Sequence, residues 1–166
     1  MTAVDADGNA VADGATTNDA YLVLTIETGE ATTNFAVGDI TVTGGTLSNF
    51  ASTDSDTYTV KFTPTADGAT TINIAANGYT DAGSNNNTAS AEFNWTQDDT
   101  APTVTITAAA GTDADQNVAD GSTQAHPTMK FTFTTSEATT NFAVGDITVT
   151  NASLSEFTAV SATVYT

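Results

Sequence analysis

The stretch EATTNFAVGDITVT occupies Glu30–Thr43 and recurs, residue for residue, at Glu137–Thr150. Fourteen identical consecutive residues in a chain of 166 mark a duplication. The offset between the copies is 107 residues, and it holds outside the identical block. Asp39 falls on Asp146, Leu47 on Leu154, Phe50 on Phe157 and Tyr58 on Tyr165. Upstream, Leu22, Leu24 and Ile26 fall on Met129, Phe131 and Phe133, and VADG at Val11–Gly14 falls on VADG at Val118–Gly121. A period this long is one whole domain per repeat, not the turn of a solenoid. The expected organisation is a first repeat over residues 1–97 that lacks most of its first strand, a linker over 98–101, and a second repeat over 102–166. The second repeat stops at the counterpart of Thr59, so it is expected to be truncated, and the chain to be an excerpt of a longer tandem array.

Outside the repeated block the hydrophobic period is two. In AYLVLTIET, Leu22, Leu24 and Ile26 face one way; in TYTVKFTP, Tyr58, Val60 and Phe62 do. Ile72 and Ile74 alternate with polar or small neighbours, and in ASAEFNWT so do Ala91, Phe93 and Trp95. Val104 and Ile106, then Met129, Phe131 and Phe133, continue the pattern in the second copy. Such alternation predicts half-buried strands. Thr, the commonest residue, suits a pleated surface. Turn signals (ADGN, ADGA, TGG, PTADG, DAGSN) separate the runs. No segment has convincing helical amphipathicity. The expected fold class is all-β: immunoglobulin-like β-sandwiches in tandem, with about seven short strands per repeat.

The charge narrows the partners. Twenty acidic side chains face two basic ones, Lys61 and Lys130, for a net charge of −18. Nucleic acid and anionic lipid would both be repelled, so no nucleic acid is expected as a partner. Cations are the natural partners, although acidity by itself also keeps a secreted protein soluble. There is no cysteine, which excludes disulfides and thiolate metal sites. No apolar run approaches the roughly 18 residues of a membrane span, so no membrane insertion is expected. No leader-like segment follows Met1.

The runs SEATTNFAVGDITVTNASLSEF and YTVKFTPTADGATTINIAANGYTDAGSNNNTASAEFNW, with the connection DDTAPTVTIT, resemble the bacterial immunoglobulin-like repeats of large surface adhesins. The resemblance covers nearly the whole chain. It implies a stalk or extender module of a secreted, cell-surface protein, calcium-stiffened in many relatives, whose immediate partners are neighbouring repeats of the same chain.

Calcium takes several oxygen ligands from carboxylates, amides and carbonyls. In a sandwich whose first strand runs away from the preceding domain, three acidic segments would gather at a junction. They are Asp5, Asp7, Asn9 and Asp13 of DADGNAVADG, Asp98 and Asp99 of the linker, and Glu137 and Asp146 of the second copy. Glu30 and Asp39 repeat that placement in the first copy, where Asp81 and Asn85 of TDAGSNNN would join them. A divalent ion would convert repulsion among these groups into a brace. The competing reading makes the same residues turn formers: DADGN lacks the rest of an EF-hand, and Asp and Asn bond their own backbone in turns.

Catalysis is not expected. The single His126 precedes Pro127 with no cysteine or nucleophile elbow beside it. The leading functional reading is an extracellular spacer, probed through calcium. The alternative is a carbohydrate- or ligand-binding sandwich, with a solvent-facing Tyr79 as its platform and an extracellular glycan as partner.

Overall fold

In TYTVKFTP every second side chain is apolar, and the segment forms an eight-residue strand in which Tyr58, Val60 and Phe62 are buried. The rest of the first unit, Met1–Thr100, follows the same logic. The computed structural model describes residues 1–111 and 116–166. The first unit contains β1 (Thr2–Val4), β2 (Ala10–Val11), β3 (Ala15–Thr17), β4 (Leu22–Glu27), β5 (Ile40–Thr43), β6 (Gly45–Ser52), β7 (Thr57–Pro64), β8 (Gly68–Ile74) and β9 (Phe93–Gln97). One sheet has the order β2-β1-β4-β7-β6 and the other β3-β9-β8-β5. Apart from the short β2 and β3, these are the two strand orders of a constant-type immunoglobulin sandwich.

The expected repeat has about seven strands and lacks most of its first; there are nine because the chain ahead of β4 forms three short pieces, β1, β2 and β3. β1 and β2 pair antiparallel on the first sheet, while β3 pairs parallel with β9 on the second. The chain changes sheet at Ala12–Gly14. Gly14 sits at φ +78° and donates its N–H to the Asn94 carbonyl at 2.7 Å. Asp13 accepts the Asn94 backbone N–H at 2.7 Å and its side-chain amide at 3.2 Å. Sequence reasoning had grouped Asp13 with the loop at the end of the domain. It sits at the sheet change instead, where it accepts the N–H of Asn94, the β9 residue opposite Thr71.

Between the sheets lie Leu22, Leu24, Ile26, Val60, Phe62, Ile72, Ile74, Phe93 and Trp95, all at 6% exposure or less. Phe62 and Trp95 meet edge to face at 6.1 Å. The Trp95 indole N–H reaches the Thr17 hydroxyl at 2.9 Å, so its polar edge is satisfied at the rim. β9 is shorter than the alternation suggests. Ala91 is exposed, and the Ser90 hydroxyl, accepting the Ile74 N–H at 3.0 Å, stands in for a ladder bond.

The second unit, Ala101–Thr166, contains β10 (Val104–Ala110), β11 (Asn117–Val118), β12 (Met129–Thr135) and β13 (Val164–Tyr165) in the order β11-β10-β12-β13. β10 pairs antiparallel with β12, as β1 does with β4, with the register shifted by two residues against the 107-residue offset. Ala108, opposite Phe131, takes the place that Ala3 has opposite Leu24 and is half-buried, while Ala110 beyond it is 4% exposed. Among the described residues no second sheet covers this one. Met129 is 37% exposed where its counterpart Leu22 is fully buried.

Gly45 marks the tightest approach in the first unit. A Cβ there would lie 2.3 Å from Phe62 Cζ and 2.6 Å from the Thr63 carbonyl oxygen. Gly45→Ala should therefore cost about 1–3 kcal/mol by overpacking, read by urea unfolding through Trp95 fluorescence. Gly38→Ala, where the added carbon meets nothing within 4 Å, should leave the midpoint nearly unchanged. Equal midpoints for the two variants would contradict the β6–Phe62 packing.

Candidate functional site

The ladder registers sort the loops into two ends. β4 runs from Leu22, opposite Phe62, to Glu27, opposite Thr57. β8 runs from Gly68, opposite Gln97, towards Ile74, opposite Ile40. The entry end thus carries residues 28–36, 53–56 and 75–92. The exit end carries 5–9, 18–21, 65–67 and 98–100.

At the exit end, DADGN closes on itself. One Asp5 oxygen accepts the N–H groups of Asp7 and Asn9 at 2.9 and 2.8 Å, and the other accepts the Asn9 side-chain amide at 2.8 Å. Gly8 supplies the left-handed residue, at φ +88°. Donation from the Asn9 side chain, then from its backbone, holds the Asp5 carboxyl below the usual carboxylate range. Both oxygens of Asp5 serve the turn. Asp5, Asp7 and Asn9 therefore satisfy the turn-former reading of this loop.

Asp81–Asn85 repeats the device at the entry end. Asp81 accepts the Asn85 N–H and side-chain amide at 2.8 Å each, and Asp81 N–H returns to the Asn85 carbonyl at 3.0 Å, as Asp5 N–H does to Asn9 at 2.9 Å. Ser84 takes the left-handed position, at φ +66°. The shared signal was readable in the sequence: Asp, then Gly or Ser three residues on, then Asn at the fourth.

Asp39 and Asp146 each close a 3-10 turn, Val37–Asp39 and Val144–Asp146. Asp39 accepts the Ala36 N–H at 2.8 Å, and Asp146 accepts the Ala143 N–H at 2.9 Å. Glu30 and Glu137 are set by a matching pair of bonds, from the Thr28 and Thr135 hydroxyls to their carbonyls at 2.8 and 2.5 Å.

Asp98 and Asp99 belong to a short tail that is tied down. Asp98 N–H reaches the Thr17 carbonyl at 3.0 Å. Asp67, which sequence reasoning missed, accepts the Asp99 N–H at 2.9 Å and the Thr100 hydroxyl at 2.5 Å. The Thr100 hydroxyl, then the Asp99 N–H, depress the Asp67 carboxyl. Only its Asp-Gly turn signature was visible beforehand.

Glu30 and Asp81 are the two expected ligands that the fold brings together. Donation from the Asn85 side chain, then from its backbone, lowers the Asp81 carboxyl, and a β-bridge between Thr32 and Asp81 brings Glu30 and Asp81 to the same corner. They line a cleft of about 320 Å³ with Thr28, Tyr79 and Asn85. Its polar donors are all oxygen or amide, the chemistry a hard cation accepts. Among the described residues no three His, Cys, Asp or Glu side chains gather to hold a metal ion. The cleft thus fits calcium in kind of ligand, with fewer carboxylates than a closed cage.

Tyr79 is not a solvent-facing platform. Its ring packs edge to face on Phe35 at 5.0 Å, and burial pushes its hydroxyl up from the ordinary tyrosine value. The alternation rule cannot see this, because Tyr79 lies in a loop folded back over the core. Lys61 stacks over Tyr21, 3.6 Å from the ring centroid.

Among known families, the bacterial Ig-like domain matches residues 2–97, more than half of the chain. No curated protein and no solved structure matches it.

Asp13 offers a pH test of these carboxylate staples. Hydrogen bonds from Asn94, backbone first and then side chain, lower its folded value beneath the ordinary 3.8. A depressed carboxylate stabilises fully above the unfolded value and loses that contribution as pH falls through the folded one. Asp13→Asn should lower the melting temperature by several degrees at pH 7. The gap from the parent should close as pH drops below 3.8. A gap that stays constant to acid would disprove the charge-assisted staple.

Proposed function

Because the chain belongs to the bacterial Ig-like domain family, we propose that it is a structural spacer: an extender module of a bacterial surface adhesin, displayed outside the cell. The observation that carries this reading is the path of the chain through the first unit. Met1 lies at the entry end, lining a cleft with Glu27, Ile74 and Tyr79. Asp98–Thr100 leave at the opposite end, tied to Thr17 and Asp67. A sandwich entered at one end and left at the other adds its own length for every copy in an array. The duplicated sequence supplies at least one further copy. The neighbouring repeats are the natural partners, and no catalytic role is assigned. His126, the one histidine, is exposed. Among the described residues no helix is long and apolar enough to cross a membrane, which says nothing of strands.

Calcium bracing is the finer part of the proposal. Glu30 and Asp81 are the residues that would hold the ion, Asp81 through the lone pairs left on oxygens that each already accept one bond from Asn85. When bound, calcium supplies the positive charge this corner lacks in a chain of net charge −18. The six to eight oxygens it prefers exceed what these side chains offer, so a preceding repeat and water complete the set. The chain's own contribution is to fix the Glu30 backbone through Thr28 and the Asp81 carboxylate through Asn85 before any ion arrives.

The test compares melting and small-angle scattering in calcium and in chelator, for the parent and for Glu30→Gln/Asp81→Asn. A ligand at a hundredfold excess over its Kd adds about 2.7 kcal/mol of stability, so the parent should melt several degrees higher in calcium and the double variant should not respond. Superimposable parent curves in both buffers would leave an unbraced spacer. A full response in the double variant would move the ion to another site.

A further inference from the structure

The entry end also carries a reactive backbone step that neither the fold nor the spacer reading uses. Asn77–Gly78 is the one Asn-Gly pair in the sequence. Both residues are exposed in the turn that follows β8. In such a pair the Gly nitrogen can attack the Asn side-chain amide, since no Cβ hinders the approach. Here the attacking group is held. Gly78 N–H donates to Asn87 Oδ1 at 2.8 Å, and Tyr79 N–H donates to the same oxygen at 3.0 Å. The Asn87 side-chain nitrogen is anchored on the Ala75 and Thr88 carbonyls at 2.8 Å each. Asn77 N–H reaches the Asn87 carbonyl at 3.1 Å, and Asn77 is fixed in the left-handed region at φ +64°.

We propose that Asn77 is a self-modification site held in check by Asn87, a deamidation that the folded turn suppresses and that loosening of the Asn87 contacts releases. In the reaction a bond forms between Gly78 N and Asn77 Cγ. The Cγ–Nδ2 bond breaks, and ammonia leaves with the proton lost by Gly78. Water then opens the cyclic imide at either carbonyl, leaving an aspartate or its β-linked isomer in place of Asn77. The Gly78 N–H must leave Asn87 Oδ1 before its nitrogen can attack, and the Asn77 backbone must leave its left-handed turn. The product adds a negative charge close to Asp39, whose Oδ1 lies 3.5 Å from where a Gly78 Cβ would stand. The β-linked form lengthens the backbone and breaks the Asn77–Asn87 bond beside the Glu30–Asp81 cleft.

The experiment incubates the full chain at mildly alkaline pH and follows conversion of Asn77 by peptide mapping and mass spectrometry. Native protein should convert far more slowly than the same chain in urea. Asn87→Ala, checked for folding by Trp95 fluorescence, should convert roughly tenfold faster than native, the factor matching ~1.4 kcal/mol of lost hydrogen bonding. Asn87→Asp keeps the acceptor for Gly78 N–H and should stay slow. Gly78→Ala, whose new carbon meets only ordinary contacts at 3.5 Å or more, should suppress conversion even in urea. Native protein converting as fast as unfolded chain would overturn the proposal. So would a folded Asn87→Ala variant that is no faster than native, or conversion located at Asn85–Asn87 rather than Asn77.

Discussion

A tyrosine between two phenylalanines fixes the crossing from one sheet to the other. Tyr58 stacks on Phe50 at 5.6 Å and takes Phe35 edge-on at 4.9 Å, while its hydroxyl donates to the Thr32 carbonyl at 3.1 Å. Phe35 and Thr32 belong to the long connection from β4 to β5, one of the places where the chain leaves the first sheet for the second. In the second unit Tyr165 stacks on Phe157 at 5.9 Å, takes Phe142 at 4.9 Å and reaches the Thr139 carbonyl at 3.0 Å. The geometry is preserved because the ring needs apolar neighbours on both sides and its hydroxyl, once buried, needs an acceptor. The duplicated block supplies the Phe, the Thr and the turn-closing Asp, while the stacking Phe and the Tyr follow downstream.

The acidity has a local rationale that composition conceals. Asp5, Asp13, Asp54, Asp67 and Asp81 are each held below the ordinary carboxylate range by hydrogen bonds to nearby donors. A protein made of short strands has many turns, and every turn exposes backbone N–H groups that an Asp can accept at close range. With only two lysines in the chain, backbone amides and asparagine side chains do the work that cations do elsewhere. What remains unneutralised is spread over both ends of the first unit, with Glu30 and Asp81 lining one cleft.

Strand positions were legible because alternation is a local signal. Thr57–Pro64 and the inward triplet Leu22, Leu24, Ile26 read directly from the residues. The three short pieces ahead of β4 did not, since Val11, Asp13 and Ala15 reveal a change of sheet only once Asn94 is there to receive it. Of the expected ligands, Glu30 and Asp81 lie about 50 residues apart in sequence, and only the β4–β7 and β5–β8 ladders place their loops together. Asp67 was hidden for the same reason: its partners, Asp99 and Thr100, meet it across the β8–β9 pair. Tyr79 was misjudged because loop residues carry no period from which burial can be read.

The repeated block separates what each level decides. Its sequence alone sets the 3-10 turn, which forms at Val37–Asp39 and again at Val144–Asp146 with the same carboxylate closing it. Directly after that turn, the identical ITVT is a strand at Ile40–Thr43 and irregular at 147–150. Val42 is half-buried and pairs with Ile72, whereas its counterpart Val149 is 40% exposed and, among the described residues, pairs with no strand. A turn closed by its own side chain needs nothing beyond four residues. A strand is half of a hydrogen-bonded pair, and its existence belongs to the partner as much as to the residues that form it.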